Sequence, residues 1–241
     1  MSRSRTFSVI LVLAAVAASA TGRADAQSRP ALNSAPQSRD KLCASLPSGA
    51  ARAQRCRNAI KTRPDDIESH RALGQAYVAM QQYDTALVSY RDVVRLRPDD
   101  GDAHYWIGIV HELRERYAEA LPEFQHAVRL DSSNAQAHWH LGIARFNTKQ
   151  IDSAYLSFAE AARLDPTDVN AWGYAAAAAH VLGRHKEAVG LFNRAIEVKP
   201  TFFDDAPAPF KQAFTASLKA GGEQKATVMP NEVKPEPVAL P

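Results

Sequence analysis

The segment IESHRALGQAYVAMQQYDTALVSYRDVVRLRPDD (residues 67–100) decides the fold, because the chain repeats its pattern three more times. An offset of 34 residues aligns it, without a gap, with residues 101–134, 135–168 and 169–202. The eighth place of the four blocks is always small: Gly74, Gly108, Gly142 and Ala176. The twentieth place is always alanine: Ala86, Ala120, Ala154 and Ala188. The twenty-fourth place is always an aromatic ring: Tyr90, Phe124, Phe158 and Phe192. A fixed period of this length is typical of repeat proteins.

Each block is expected to form two antiparallel helices. Apolar residues recur at helical spacing in its first half, as at Leu73 and Tyr77, and again in its second half, as at Leu87 and Tyr90. Prolines that cannot donate the next backbone hydrogen bond end the second helices: Pro98, Pro166 and Pro200. The small residues let the two helices approach closely, and the ring at the twenty-fourth place fills the space toward the neighbouring pair.

These blocks resemble the tetratricopeptide repeat family, whose pattern combines Leu-Gly, a tyrosine, alanine, an aromatic residue, alanine and proline. In the first block the resemblance is carried by Leu73, Gly74, Tyr77, Ala86, Tyr90 and Pro98. In the last two blocks it is carried by Leu141, Gly142, Ala154, Phe158, Ala161, Pro166, Trp172, Gly183, Ala188, Phe192, Ala195 and Pro200. The departures are Ser132 in place of proline, and His111, Arg145 and Ala179 in place of tyrosine. The resemblance implies an all-α fold, a right-handed helix-turn-helix solenoid that forms a superhelix.

Helical segments are also expected on both sides of the four repeats of 67–202. Residues 41–66 are interpreted as an N-terminal helical hairpin, or partial repeat. Residues 203–220 are interpreted as a C-terminal capping helix, because the last repeat of a solenoid would otherwise expose an apolar face. The apolar side chains that share one face of this helix are Phe210, Ala213, Phe214 and Leu218.

The two ends of the chain have the composition of processed or flexible segments. Residues 1–26 are typical of an export signal, with Arg3 and Arg5 before an apolar run at 7–18 and a small-residue cleavage site after Ala26 that we favour over Ala20. The apolar run is shorter than the ~20 residues of a spanning helix, so we expect no integral membrane anchor. Residues 27–40 are interpreted as a flexible leader and residues 221–241 as a disordered, proline-rich tail. The expected location is periplasmic or secreted.

Cys43 and Cys56 are the two cysteines of the chain, and the turn-forming segment 46–49 lies between them. A helical hairpin that turns there would bring the two thiols together, and an oxidising compartment favours a disulfide. A redox-active pair is the alternative, but the spacing is not C-x-x-C. A structural disulfide is therefore the preferred interpretation.

The sequence offers little catalytic or metal-binding chemistry. His70, His104 and His138 occupy the same place of three successive blocks, so they are spaced along the solenoid, too far apart for one metal ion. No phosphate loop, serine elbow or H-E-x-x-H motif occurs. We therefore expect no enzyme activity, no cofactor and no metal. A net charge of +3 gives little reason to expect nucleic acid as a partner.

A basic cluster precedes the repeats in the sequence. It consists of Arg52, Arg55, Arg57, Lys61 and Arg63. A solvated helix face is favoured over an RNA-binding site, because the export signal removes the usual RNA partner.

The resemblance implies that the first helices of the blocks line a concave groove. The residues expected to bind a partner there are Arg71, Gln75, Tyr105, Trp106, Ile109, Trp139, His140, Ile143, Phe146 and Tyr174. Relatives that bind chaperone carboxylates use Lys and Asn at several of these places, whereas Trp106, Gln136 and His140 stand at three of them here. The groove is interpreted as aromatic and nearly uncharged. We expect Trp106, Trp139 and Tyr174 to bind a partner, and their truncation to leave the helix packing largely intact.

These patterns predict an exported scaffold for protein–protein interaction that binds an extended peptide or a helix of a partner protein in the groove. The alternative is an assembly module that joins subunits of an envelope complex by its outer face, without a ligand in the groove. An aromatic groove favours the first prediction, and a groove filled by the chain's own tail would favour the second.

Overall fold

The computed structural model describes Cys43, residues 49–206 and residues 208–221. The predicted signal, leader and most of the predicted tail lie outside the described residues, as do residues 41, 42 and 44–48 of the predicted N-terminal hairpin. The domain boundaries proposed for those segments stay predictions.

Every regular element among the described residues is an α-helix. In chain order they are α1 Ala50–Thr62, α2 Ile67–Ala79, α3 Tyr83–Leu96, α4 Gly101–Leu113, α5 Tyr117–Leu130, α6 Ala135–Asn147, α7 Ile151–Leu164, α8 Val169–Val181, α9 His185–Val198, α10 Phe202–Asp205 and α11 Ala208–Ala220. Helices α2 to α9 pair within the four predicted repeats, and each pair packs on the next. The predicted all-α solenoid is confirmed.

The first helix of each repeat begins directly after an acidic or amide side chain. Asp100 accepts a hydrogen bond from the backbone N–H of Ala103, and Asn134 does the same from Ala137. Asp168 accepts from the N–H of Asn170. These side chains satisfy donors that the first helical turn leaves unpaired, so the repeat period also fixes where each first helix begins.

The core of each repeat is the predicted contact between a small residue and a ring. Phe158 is fully buried, and a methyl group placed on Gly142 would lie only 2.5 Å from its Cε1 atom. Gly108 contacts the ring of Phe124 equally closely, and Gly74 contacts the ring of Tyr90. The alanines at the twentieth place are all fully buried. The helices of a pair therefore lie close together because no Cβ atom separates the glycine from the ring.

We expect Gly142→Ala to lower the free energy of unfolding by about 1 kcal/mol, because strain of about 1–3 kcal/mol exceeds the ~1 kcal/mol gain in helix propensity. Ala176 at this place of the fourth repeat shows that a ring can yield enough to keep the pair. The matched control is Gly190→Ala in α9, where a Cβ meets nothing within 4 Å. It should raise stability by about 0.5–1 kcal/mol. Urea titrations measure both changes, and equal effects of the two substitutions would contradict the close contact.

The last helix caps the stack as predicted, although a break precedes it. Phe210 is buried, while Lys211 and Lys219 stay exposed on the other side of α11. The prediction of one helical segment over 203–220 is corrected, because Ala206 is extended (ψ 141°) and separates α10 from α11. Ala206 precedes Pro207, and a proline disfavours helical backbone in the residue before it.

The predicted disulfide is present at the other end of the stack. Cys43 and Cys56 are bonded to each other and lie in one apolar cluster with residues of α2 and α3. The bond joins the preceding segment to α1, and the apolar cluster packs α1 against the first repeat.

Candidate functional site

The ten predicted groove residues lie on the first helices α2, α4, α6 and α8, and we call the side of the stack that carries them the groove face. Seven of them are partly exposed: Arg71, Gln75, Tyr105, Trp106, Ile109, Trp139 and His140. The other three are buried: Ile143, Phe146 and Tyr174. The surface that a partner can reach is therefore concentrated on α4 and α6.

The capping helix explains the burial of Tyr174, which is only 3% exposed. Its ring centroid lies 5.4 Å from that of Phe210 on α11 and 5.3 Å from that of Phe158. Ile143 and Phe146 belong to the same buried cluster. The structure thus corrects the placement of these three side chains, which lie in the core and not on an open groove wall.

The rings at the sixth place of the second, third and fourth repeats also contribute to the core. Trp106 stacks on Tyr90 of the preceding repeat with centroids 6.0 Å apart, and His140 stacks on Phe124 at 5.5 Å. Tyr90, Phe124 and Phe158 therefore each contact the next repeat, as the predicted role of the twenty-fourth place requires, and Phe192 contacts the C-terminal cap instead. The partly exposed rings of the groove face therefore also belong to the core between the repeats.

Trp139 is partly exposed on the groove face and also packs against the core. Its ring packs against two buried clusters, and its Nε1 atom is buried without a hydrogen-bond partner. Its centroid lies 5.6 Å from that of Tyr174. The expectation that truncating Trp139 leaves the packing intact is therefore replaced: Trp139→Ala removes core contacts as well as groove surface, and it is a poor test of binding.

Arg71 is held in an ion-pair network at one end of the groove face. Its guanidinium lies 2.7 Å from Oδ2 of Asp100, which also lies 3.5 Å from a guanidinium nitrogen of Arg97. Arg71 also pairs with Glu68 on its own helix. Because Asp100 caps the N-terminus of α4, Arg71 links α2 to the start of the second repeat.

Glu112 is a groove-face residue that the sequence reasoning missed. Its Oε2 atom lies 3.0 Å from Nδ1 of His140 on the neighbouring first helix. The pKa of Tyr174 is raised, mainly by burial and secondly by the charge of Glu112. The same two causes, in the same order, raise the pKa of Tyr117, which Glu115 also affects. Glu112 occupies the twelfth place of its block, as Phe146 does in the next. Aligning the blocks could therefore have identified Glu112 as a groove-face residue.

The histidines at the fourth place are structural. The Nε2 atoms of His70, His104 and His138 lie 2.8, 3.3 and 3.1 Å from the carbonyl oxygens of Pro64, Pro98 and Ser132. Trp172 donates from Nε1 to the Pro166 carbonyl in the fourth repeat, at 3.0 Å. The prediction that these histidines fill the place of Trp172 is confirmed. Within residues 49–206 and 208–221, no group of three or more potential ligands is arranged to hold a metal ion.

A serine–histidine contact ties the cap to the fourth repeat. Nδ1 of His180 lies 2.8 Å from Oγ of Ser217, which is fully buried in α11. Burial and the nearby His185 lower the pKa of His180. A nucleophile needs access to its substrate, so this contact is suited to holding α11 in place.

Two further features bear on the possible partners. Arg55, Arg57 and Lys61 of the basic cluster are exposed on α1, where Arg57 donates to Gln54. This is the solvated arrangement that the sequence favoured.

No helix in the described part of the chain is long and apolar enough to cross a membrane.

Comparisons with known proteins agree with this geometry. The tetratricopeptide repeat profile matches residues 71–135, 114–169 and 141–207. No curated protein matches the chain. Among solved structures, the chain is similar to MamA (residue 41 to the end) from Desulfovibrio magneticus RS-1, with 22% identity and a TM-score of 0.58 over 63% of this chain and 85% of that one. It is also similar to YrrB, described as "a TPR protein with an unusual peptide-binding site", with 23% identity and a TM-score of 0.56 over 62% and 77%. Similarity at this level establishes the fold.

Proposed function

This chain belongs to the tetratricopeptide repeat family, and from that premise we propose that its groove face binds an extended segment or a helix of a partner protein. The family is in general a non-enzymatic scaffold for protein–protein interaction. We propose the same for this chain, without a cofactor and without nucleic acid as a partner. The peptide-binding site mentioned for YrrB is a property of that protein, and it makes a groove ligand a reasonable proposal here.

The observation that supports the proposal is a set of partly exposed apolar side chains on two adjacent helices. They are Tyr105, Trp106, Ile109 and Trp139. Each is anchored on one side by a buried cluster, so its orientation is fixed before a partner arrives. Rigid aromatic side chains supply much of the energy of protein interfaces and lose little conformational entropy on binding.

We further propose that binding takes place outside the cytoplasm. The support is the order of charged, apolar and small residues within 1–26, together with the Cys43–Cys56 disulfide, since disulfides persist in oxidising compartments. N-terminal sequencing of the protein from fractionated cells tests this proposal. A mature N-terminus near Gln27 is expected, and an intact Met1 in the cytosol would contradict it.

The second candidate is an assembly module that acts through its outer face. Val88 and Leu156 favour it, because they occupy the same place of the first and third repeats and are 58% and 53% exposed on second helices. Exposed apolar side chains on one face are found at protein interfaces.

We expect Tyr105→Ala to weaken partner capture at least ~10-fold, because truncating an aromatic hot-spot residue removes a large part of the interface energy. Val88→Ala serves as the outer-face control and should capture the partner as the unchanged protein does. Capture from the envelope fraction is quantified by mass spectrometry for proteins of equal melting temperature. If Val88→Ala loses the partner and Tyr105→Ala keeps it, the outer face is the binding surface.

A further inference from the structure

Glu112 is a largely buried carboxylate that no arginine or lysine within residues 49–206 and 208–221 pairs with. Its side chain is 13% exposed, and among the described residues its ion-pair partner is His140. Asp100 shows the contrast: its side chain is 3% exposed and it pairs with both Arg71 and Arg97. Carboxylates are seldom buried unless they are paired, so Glu112 has an incomplete set of partners.

Aromatic rings surround His140, the ion-pair partner of this carboxylate. The centroid of His140 lies 5.5 Å from that of Tyr105 and 4.7 Å from that of Trp139, and both rings stand edge-on to it. The charge of Glu112 also acts on the phenols of Tyr117 and Tyr174. Ring faces and a carboxylate both attract cations, and they attract them more strongly where water is partly excluded.

The charges of the groove face point to the same class of ligand. The carboxylates on the first helices are those of Glu68, Asp102 and Glu112, and the guanidinium groups on them are those of Arg71 and Arg145. Arg145 donates to Ser157 and to the Ser153 carbonyl on α7. Arg71 already pairs with Glu68 and Asp100. The expectation of a nearly uncharged groove is thus refined: helix α4 carries the carboxylates of Asp102 and Glu112 and neither a lysine nor an arginine.

We propose that the groove face recognises a basic side chain of its partner, and that the ammonium or guanidinium group binds Glu112 between the rings of Tyr105, Trp139 and His140. The inference rests on the proposed function and names the chemistry of the partner segment. The partner cation donates to the Glu112 carboxylate and lies against the ring faces, while its methylene stem covers apolar surface such as Ile109. The partner supplies the cation that no arginine or lysine of the described residues supplies to Glu112.

A random-peptide display library selected against the immobilised full chain tests the proposal. Selected peptides are expected to be enriched in Lys or Arg at one position. Their affinity, measured by calorimetry, should fall at least ~10-fold with Glu112→Gln, which keeps the size of the side chain and an acceptor for His140. Glu115→Gln is the matched control, because it removes the same charge from an exposed position at which the first repeat already has Gln81. It should leave the affinity unchanged.

A substitution in the peptide keeps the test valid if Glu112→Gln is unstable. Replacing the enriched Lys or Arg by Gln should cause the same loss with the unchanged protein, and should cause no further loss with Glu112→Gln. Enriched peptides without a basic residue, or equal effects of Glu112→Gln and Glu115→Gln, would overturn the inference but leave the proposed function standing. Selected peptides that bind the Tyr105→Ala variant with unchanged affinity would overturn the proposed function itself.

The chain's own tail is the competing occupant, since it contains Lys225 and Lys234. Full-length protein with Lys225→Gln and Lys234→Gln should bind the selected peptide as the unchanged protein does. A clearly tighter complex of this double variant would show that the tail occupies the pocket, and would overturn the assignment of the pocket to a partner.

Discussion

Phe158→Ala is expected to lower the free energy of unfolding by about 3–5 kcal/mol, the usual cost of deleting a fully buried phenylalanine ring. The ring lies against Gly142 within its own repeat and against Tyr174 in the next, and it belongs to the largest buried cluster of the C-terminal half. Its removal therefore opens a cavity inside the third repeat and weakens the contact with the fourth. Urea titration followed by circular dichroism measures the loss.

Leu156→Ala is the control for this prediction, because Leu156 lies on the same helix and is 53% exposed. Its effect should stay within about 0.5 kcal/mol, as is usual for surface positions. A loss below 1 kcal/mol for Phe158→Ala would mean that the contact between the small residue at the eighth place and the ring at the twenty-fourth, here called the seam, contributes little to stability. The alignment of the four blocks would then have a different physical cause.

Removing the disulfide by Cys43→Ser and Cys56→Ser is expected to lower the free energy of unfolding by about 3 kcal/mol, the entropy of closing a loop of ~15 residues. The two cysteines are 13 residues apart in sequence, and both are buried against the first repeat. The bond joins Cys43 to α1, and both pack against the first repeat, so its loss should weaken this packing at the end of the stack.

Reductant provides the control within the same experiment. The unchanged protein should lose stability in dithiothreitol, and the double serine variant should not. Thiol labelling of unfolded, unreduced protein isolated from the envelope should find no free cysteine. Two labelled thiols in that material, or identical stability with and without reductant, would contradict the prediction.

The fold followed from the sequence because its signals are local and are repeated four times. A ring at the twenty-fourth place, a small residue at the eighth and, in three of the four repeats, a side chain that caps the first helix constrain the backbone locally. Each block then applies the same constraint to the next. His138 and Trp172 illustrate this: both reach the carbonyl oxygen six residues earlier, so one place in the repeat predicts one contact.

The groove was predicted less well, because whether a side chain is open to a partner depends on its neighbours in space. Register placed Tyr174 on the groove face, but Phe210 of the capping helix covers it. The register likewise gave the twelfth place to both Glu112 and Phe146, and only packing distinguishes them. Phe146 is buried in the core, whereas Glu112 reaches across to His140.

The sequence by itself determined the helices, their pairing, the seam of each repeat, the cap and the disulfide, since all of these arise from spacing along the chain. The tertiary structure alone decided which groove residues remain accessible and which charges lack a partner. The physical reason is that burial and charge pairing are properties of side chains from different repeats. The surroundings of Glu112 and His140 combine side chains of α4, α6 and α8, and no single block contains the information that brings them together.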